Sequence, residues 1–417
     1  MLSKITVNGF KSLENFTLSF GHGLNVLIGP NGAGKSNICQ SLALLGAAAD
    51  NKLIEYVLSL GGARNIFKAG VESPSATDYR AFDISCIGYV STGEKKSNDS
   101  NLLYEYGLKV SIGEELRINT EELKITRIID NKSKKVVFNI KKNEKGMLSV
   151  RSFNDEFSGP KNHIIDEPDS KNSQKRKPFK LDMADDPTES FLDILSQLYF
   201  FVHVVGDDLK RLKVLNVDPH IAKNSSDILE PLTMLSDGRR LANAIYELDK
   251  RNDPGLLALN SFMANIMPRY KEINSELSSD GLTRSFSITD TDGNKFPAQS
   301  LSDGTVKTIA FMVGMLECDK GSIIIEEPEN YLHPWACNSL VEYIRKTFAG
   351  RSCIITTHSE TMLNAIKPSE IIVCTNLEGY TNAQHLRHSK ALEKAIKQSG
   401  FGCGYHYISG SLGGVPI

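Results

Sequence analysis

Gly29-Pro30-Asn31-Gly32-Ala33-Gly34-Lys35-Ser36 decides how the rest of the chain is read. The stretch fits GxxxxGKS and lies between an apolar run, Leu24-Asn25-Val26-Leu27-Ile28, and a helical pattern that begins at Asn37. In such a loop the glycines let backbone N–H groups curl around a polyphosphate, Lys35 reaches the terminal phosphates, and the Ser36 hydroxyl ligates Mg²⁺. The helix opening at Ser36-Asn37 turns its positive end toward the same anion. A glycine-rich turn that merely precedes Lys-Ser would not carry a strand before it and a helix after it. Residues Gly29 to Asn37 are therefore expected to bind ATP with Mg²⁺.

Length and composition set wider bounds. A chain of 417 residues with 40% hydrophobic and 24% charged residues can bury a large core and is expected to divide into two or three domains. Its formal net charge of −2 gives no overall attraction to nucleic acid or lipid, so any such contact has to be a local patch. The seven cysteines (39, 86, 318, 337, 353, 374 and 403) are scattered, odd in number and without a CxxC pair, which argues against a disulfide framework or a zinc site. No charged n-region with an apolar h-region opens the chain, and no apolar run has membrane-spanning length. The expected compartment is a reducing cytosol, with no membrane partner.

From the start, Leu2–Val7 and Leu13–Phe20 read as strands around Gly9-Phe10-Lys11-Ser12. Lys11 is either a solvated loop lysine or a second phosphate contact folded over the phosphate loop, and spacing alone leaves both readings open. Ile38, Leu42 and Leu45 share one helical face, while Gly61-Gly62-Ala63-Arg64 has no readable role. Alternating segments at 79–89, 102–112, 123–130, 135–141 and 147–152 predict an antiparallel sheet lobe. Residues 154–190 carry a basic cluster, Lys171, Lys175, Arg176, Lys177 and Lys180, which reads as a solvated insertion or as a contact to a phosphate backbone. Helical periodicity at 191–198, 240–248 and 255–266 predicts an inserted helical lobe, and the apolar Tyr199–Val205 reads as a strand ending in Gly206-Asp207-Asp208. The expected divisions are 1–75, 76–153, 154–190, 191–285, 286–380 and 381–417.

The C-terminal third holds the remaining chemistry. Ser322-Ile323-Ile324-Ile325-Glu326-Glu327-Pro328-Glu329 is a buried strand ending in carboxylates. Beside a phosphate loop, Glu326 is expected in the Mg²⁺ shell and Glu327 as the base that orients the attacking water. Cys353–Thr357 delivers His358, either a structural histidine or a sensor of the γ-phosphate. Ser302-Asp303-Gly304 opens an apolar helix, first as an N-cap and then as a second anion-binding helix end. Leu235-Ser236-Asp237-Gly238 repeats those letters but stands too far upstream of the Glu326 strand.

Together these motifs carry a resemblance. Leu301-Ser302-Asp303-Gly304-Thr305 is similar to the ABC signature, the Glu326-Glu327 strand to an ABC Walker B, Asn330-Tyr331-Leu332-His333 to a D-loop, and Thr356-Thr357-His358-Ser359 to a switch-histidine segment. With the opening Ile5–Ser12, the chain resembles ABC ATPases of the SMC, Rad50 and RecF type, and most of all the compact OLD-like "AAA family" ATPases. The resemblance implies an α/β P-loop NTPase head with an antiparallel β lobe and an inserted helical lobe. It also implies a head-to-tail homodimer, or higher homo-oligomer, in which Ser302, Asp303 and Gly304 of one subunit face ATP held by Lys35 of the other. Glu326 replaces the usual aspartate, and no Q-loop glutamine is placed.

Compact ATPases of this kind often work with a separate toxin or nuclease, as the ATPase of the PARIS antiphage system holds a Toprim-type effector. The glycine-rich tail after residue 400 has no carboxylate cluster for two-metal nuclease chemistry. The resemblance therefore implies a sensor and scaffold that controls an effector protein. A RecF-like or Rad50-like DNA-repair ATPase that contacts nucleic acid is the alternative, and a clamp that binds nucleotide with little hydrolysis is a third reading.

Overall fold

The computed structural model describes residues 1–67, 80–91, 101–129, 133–152, 179–182, 187–318, 321–386 and 390–410. The chain opens with β1 (Leu2–Asn8), β2 (Phe16–Ser19), β3 (Gly23–Ile28), α1 (Lys35–Ala49) and α2 (Leu53–Ser59). An antiparallel meander follows: β4 (Arg80–Ser91), β5 (Asn101–Ile112), β6 (Leu116–Ile129), β7 (Ser133–Lys142), β8 (Met147–Ser152) and β9 (Phe179–Asp182). Next come α3 (Phe191–Ser196), α4 (Phe200–Lys210), β10 (Val214–Leu215), α5 (Pro219–Ala222), β11 (Ser226–Asp227), α6 (Leu241–Lys250), α7 (Pro254–Ile266), β12 (Tyr270–Leu277), β13 (Thr283–Asp290) and β14 (Lys295–Pro297). The last part holds α8 (Asp303–Glu317), β15 (Ile323–Glu326), α9 (Pro334–Thr347), β16 (Ser352–Thr356), α10 (Glu360–Asn364), β17 (Ile371–Leu377), β18 (Tyr380–His385), α11 (Lys390–Ser399) and α12 (Cys403–Ile408).

The central sheet has the order β10-β15-β16-β3-β17-β18, parallel except for β18. Parallel strands buried on both faces need apolar side chains on both, which is why β15 reads Ile-Ile-Ile without alternation. Along it the faces separate: Ile324, Ile354 and Leu27 join one core with Ile38, Leu42 and Leu45 of α1. Ile323, Ile325, Ile355 and Val26 join a second core with Ile309 and Met312 of α8 and with Leu340 and Ile344 of α9. The C-terminal ends of β3, β10, β15 and β16 consequently meet at one edge, where open α/β sheets hold their ligands.

The antiparallel sheet runs β2-β1-β4-β5-β6-β7-β8-β9 among the described residues, so it crosses the division expected between residues 75 and 76. Period-2 patterning is clear in β4, where Phe82, Ile84 and Cys86 are buried and Ala81, Asp83 and Ser85 are exposed. Of the basic cluster, Lys171, Lys175, Arg176 and Lys177 lie outside the described residues, and Lys180 falls in β9. The stretch 191–285 is mixed rather than helical, since β12 and β13 form a hairpin that β11 and β14 extend.

The strand expected at Tyr199–Val205 is instead the first part of α4. Phe201, Val202, Val205, Gly206, Asp208 and Leu209 are its buried positions, a grouping that fits one face of a helix and not the period of two of a strand. Packing of that face against α1 and α3 overrides the strand preference of Phe and Val.

A buried carboxylate joins the two parts. Glu121 of β6, 1% exposed, accepts from the Tyr106 hydroxyl at 2.7 Å, from the Ser190 hydroxyl, and from the Phe191 N–H at 2.9 Å, which opens α3. Replacing it with alanine leaves three buried donors without an acceptor. We expect Glu121→Ala to lower unfolding free energy by about 3 kcal/mol in urea titration, and Glu121→Gln, which keeps an acceptor, to cost about 1 kcal/mol.

Candidate functional site

The phosphate loop is held by close backbone approach. A Cβ on Gly34 (φ +92°) would lie 1.8 Å from Thr381 Oγ1, and one on Gly29 (φ +151°) would lie 2.2 Å from the Cys374 carbonyl oxygen. Both positions demand glycine twice over, by conformation and by space. Asn376 Nδ2 donates to the Gly32 carbonyl at 3.0 Å, so β17 and β18 grip the loop from outside. Gly34 caps α1 without a side-chain bond, and no acidic residue stands in the first turn. The amides of that turn are thus left for an external anion.

Lys35 is 6% exposed and its ammonium donates to the carbonyls of Gly29 (2.9 Å) and Pro30 (3.1 Å). Burial pulls its pKa below the ordinary lysine value. Asn37 donates to Ser12 Oγ at 2.7 Å, and that hydroxyl lies 2.6 Å from Thr381 Oγ1. Ala33 is fully buried and, with Gly29 and Pro30, frames the loop rather than facing the cavity.

At the sheet edge a cavity of about 320 Å³ opens, lined by Asn31, Gly32, Gly34 to Asn37, Asn216, Glu326, Glu327, Thr356 and His358. Glu326 hydrogen-bonds with Ser36, while its Oε1 is buried without a protein partner among the described residues. Its pKa is raised, by burial first and then by Glu327. A hydroxyl beside a carboxylate with one unbonded buried oxygen is a donor set that fits Mg²⁺.

Glu327 adopts φ +44°, rare outside glycine and asparagine. Its N–H donates to Thr356 O (3.1 Å) and Oγ1 (3.2 Å), its carbonyl accepts from Lys307 Nζ (3.1 Å), and its Oε2 accepts from Asn330 (2.7 Å). His358 has its pKa lowered by burial and next by Lys35, against the pull of Glu327 and Glu329.

The remaining expected residues lie elsewhere. Lys11 does not line the cavity; its ammonium donates to Gln40 Oε1 at 2.7 Å, on the side of α1. Ser302 is exposed at the start of α8 and its hydroxyl accepts from Thr305 N–H at 3.2 Å. Asp303 bonds Lys223 Nζ at 2.6 Å, which is the first cause of its depressed pKa, and Gly304 has no room for a Cβ because the Tyr331 carbonyl oxygen would sit 2.1 Å away.

Asn216 is a cavity residue that sequence reasoning missed. It follows β10, only two residues long, and such a strand leaves no readable period. Asn216 N–H and Asp218 N–H donate to the carbonyls of Ser236 and Asp237, both at 3.0 Å. The second Leu-Ser-Asp-Gly, at 235–238, is therefore a turn that supports the Asn216 segment, not a helix start.

The fold is shared with two solved SMC heads. One, bound to the C-winged helix domain of ScpA, aligns over 94% of this chain and 99% of its own at 13% identity, with a TM-score of 0.53. The other, an Smc head with an extended coiled coil bound to the C-terminal domain of ScpA derived from Pyrococcus furiosus, gives 95%, 99%, 12% and 0.51 in the same terms. Short stretches resemble curated proteins: 43% identity over 44 residues with the DNA replication and repair protein RecF of Magnetococcus marinus, and 36% over 73 residues with the DNA repair protein RecN of Synechocystis. Those stretches are 11% and 17% of this chain, and the chain spans 12% of the length of each of these relatives. Residues 24–364, more than half of the chain, match the family described as "AAA domain, putative AbiEii toxin, Type IV TA system". The chain belongs to that family, and its head is that of an ABC-type ATPase of the SMC and RecF class.

Proposed function

We propose that this chain binds and hydrolyses ATP between two heads arranged head to tail, and that opening and closing of the pair controls a separate effector protein, a toxin or nuclease, in bacterial antiphage defence. One observation carries the reading. Lys35, Ser36, Glu326, Glu327 and His358 line one cavity, whereas the Ser302 hydroxyl is exposed outside it. Each head thus presents two half-sites, and a second head supplies the missing half of each.

Within the closed pair the amides of Gly34 to Asn37 and the Lys35 ammonium hold the β- and γ-phosphates. Ser36 and Glu326 would hold Mg²⁺, which when bound offsets charge on the phosphates. Glu327 takes a proton from the attacking water, Asn216 orients that water, and His358 donates to the γ-phosphate. Ser302 and the first amides of α8 meet the same phosphate from the partner.

The effector reading is supported by the family description, which names a toxin and a type IV TA system. A second reading, a DNA-repair ATPase, is favoured by the local likeness to RecF and RecN. Stimulation of turnover by DNA with a steep salt dependence supports the second, and co-purification of an effector from the native host supports the first.

Two measurements check the site. Glu327→Gln should lower kcat by roughly a hundredfold or more while ATP still drives dimers in light scattering; unchanged turnover removes Glu327 as the base. Lys35→Ala and Ser302→Arg should each be inactive alone, yet their mixture should regain hydrolysis because one composite site of the heterodimer is intact. A mixture as silent as its components excludes the head-to-tail arrangement.

A further inference from the structure

Glu329, two residues beyond the proposed base, has no part in the mechanism above. Its Oε1 accepts two hydrogen bonds, from Thr357 Oγ1 at 2.6 Å and from the His358 N–H at 3.0 Å. Thr357 Oγ1 in turn accepts from Ser359 N–H at 3.0 Å, and Ser359 caps α10. The carboxylate therefore joins two separate strand ends, the one that delivers Glu327 and the one that delivers His358.

The segment that bears Glu329 is itself closely fixed. Lys307 Nζ holds the Glu327 carbonyl at 3.1 Å, Leu332 N–H donates to the Glu329 carbonyl at 2.9 Å, and the Tyr331 carbonyl abuts Gly304. Two residues in this turn, Glu327 and Tyr331, have positive φ of 44° and 72°. Such backbone persists only where its surroundings hold it. A turn fixed in this way is a rigid reference for whatever its side chain grips, and Glu329 grips the histidine loop.

We propose that Glu329 is a positioning residue that sets His358 relative to Glu327, so that γ-phosphate contact and water activation are aligned as one unit. Thr357 is the second member of this clasp. Neither lines the cavity. The inference rests on the proposed hydrolysis at this site, because alignment matters only if Glu327 activates water there. Misplacement of about 1 Å in such a site can reduce a rate on the order of a hundredfold while leaving ground-state binding intact. The signature is thus a kcat effect without a matching KM effect.

The experiment compares Glu329→Ala, Glu329→Gln and Thr357→Val in steady-state ATPase assays, with ATP-driven dimerisation and thermal unfolding followed in parallel. Glu329→Ala should lower kcat by roughly tenfold to a hundredfold with KM for ATP within about twofold of the unmodified protein. Glu329→Gln, whose carbonyl oxygen accepts the same two donors, should recover most of that loss, and Thr357→Val should lose a smaller part in the same direction. Equal kcat in all three variants overturns the proposal. So does a parallel loss of kcat and ATP binding that Gln fails to rescue, which marks a plain structural anchor. If Glu329→Ala does not fold, Thr357→Val decides, since valine fills the same volume and removes only the hydroxyl. Turnover that is lost in Glu327→Gln but indifferent to these variants overturns the positioning role alone. Turnover indifferent to Glu327→Gln overturns the reading beneath it.

Discussion

The site depends on phosphate-loop backbone packed where no side chain of its own fits, Gly29 against the Cys374 carbonyl and Gly34 against the Thr381 side chain. The phosphate loop, coded near the start of the chain, thus takes its shape from two strands coded more than 330 residues later. The Thr381 N–H donates to the Ser12 carbonyl at 2.9 Å and the two hydroxyls meet at 2.6 Å, which draws the β1–β2 loop into the same contact. Closing so long a loop adds little to the entropic cost, since that cost grows only with the logarithm of length. What it gives is an all-or-none site, present only when both ends of the chain have assembled on one sheet.

A second contact would tie together the two half-sites proposed for one head. The helix that begins at Ser302 bears on the turn after β15 through Gly304 against Tyr331 and through Lys307 against the Glu327 carbonyl. In the proposed pair, the element that meets the partner's phosphate is thus in direct contact with the residue that would activate water in its own cavity. If the pair forms as proposed, a shift of α8 toward a neighbour's nucleotide would bear on the Glu327 turn through these two contacts.

Motifs with a strict period or a strict spacing were legible in the sequence. The phosphate loop, the β15 carboxylates and Thr357-His358 after β16 each follow a short buried run, and the motif letters mark where that run ends. The meander from β4 to β8 was legible from its period-2 alternation. The start of α4 was not, because Phe and Val favour strands locally and only the burial of Phe201, Val202 and Val205 against α1 and α3 selects the helix. Asn216 was hidden by the brevity of β10, and the duplicate Leu-Ser-Asp-Gly by the identity of its letters, which carry no information about the backbone they adopt. Lys11 had two readings on spacing, and Gln40, one helix away, settles where its ammonium lies.

The charges of the cavity explain why its shape alone does not complete it. Burial lowers the pKa of Lys35 and of His358 and raises that of Glu326, so the protein surroundings disfavour the charged form of all three. Lys35 compensates with two carbonyls, but Glu326 keeps one oxygen buried and unbonded. A group in that condition gains from a cation more than an exposed one would, because it has already lost its water. Lys35 gains from a polyphosphate on the same grounds, since an anion replaces neutral carbonyls as its partner. A polyphosphate and a divalent cation together answer both deficits, whereas either alone answers one and leaves the other buried. In the proposed reading the cavity would favour the two ligands jointly, since a metal-free nucleotide would leave Glu326 and Glu327 facing added negative charge.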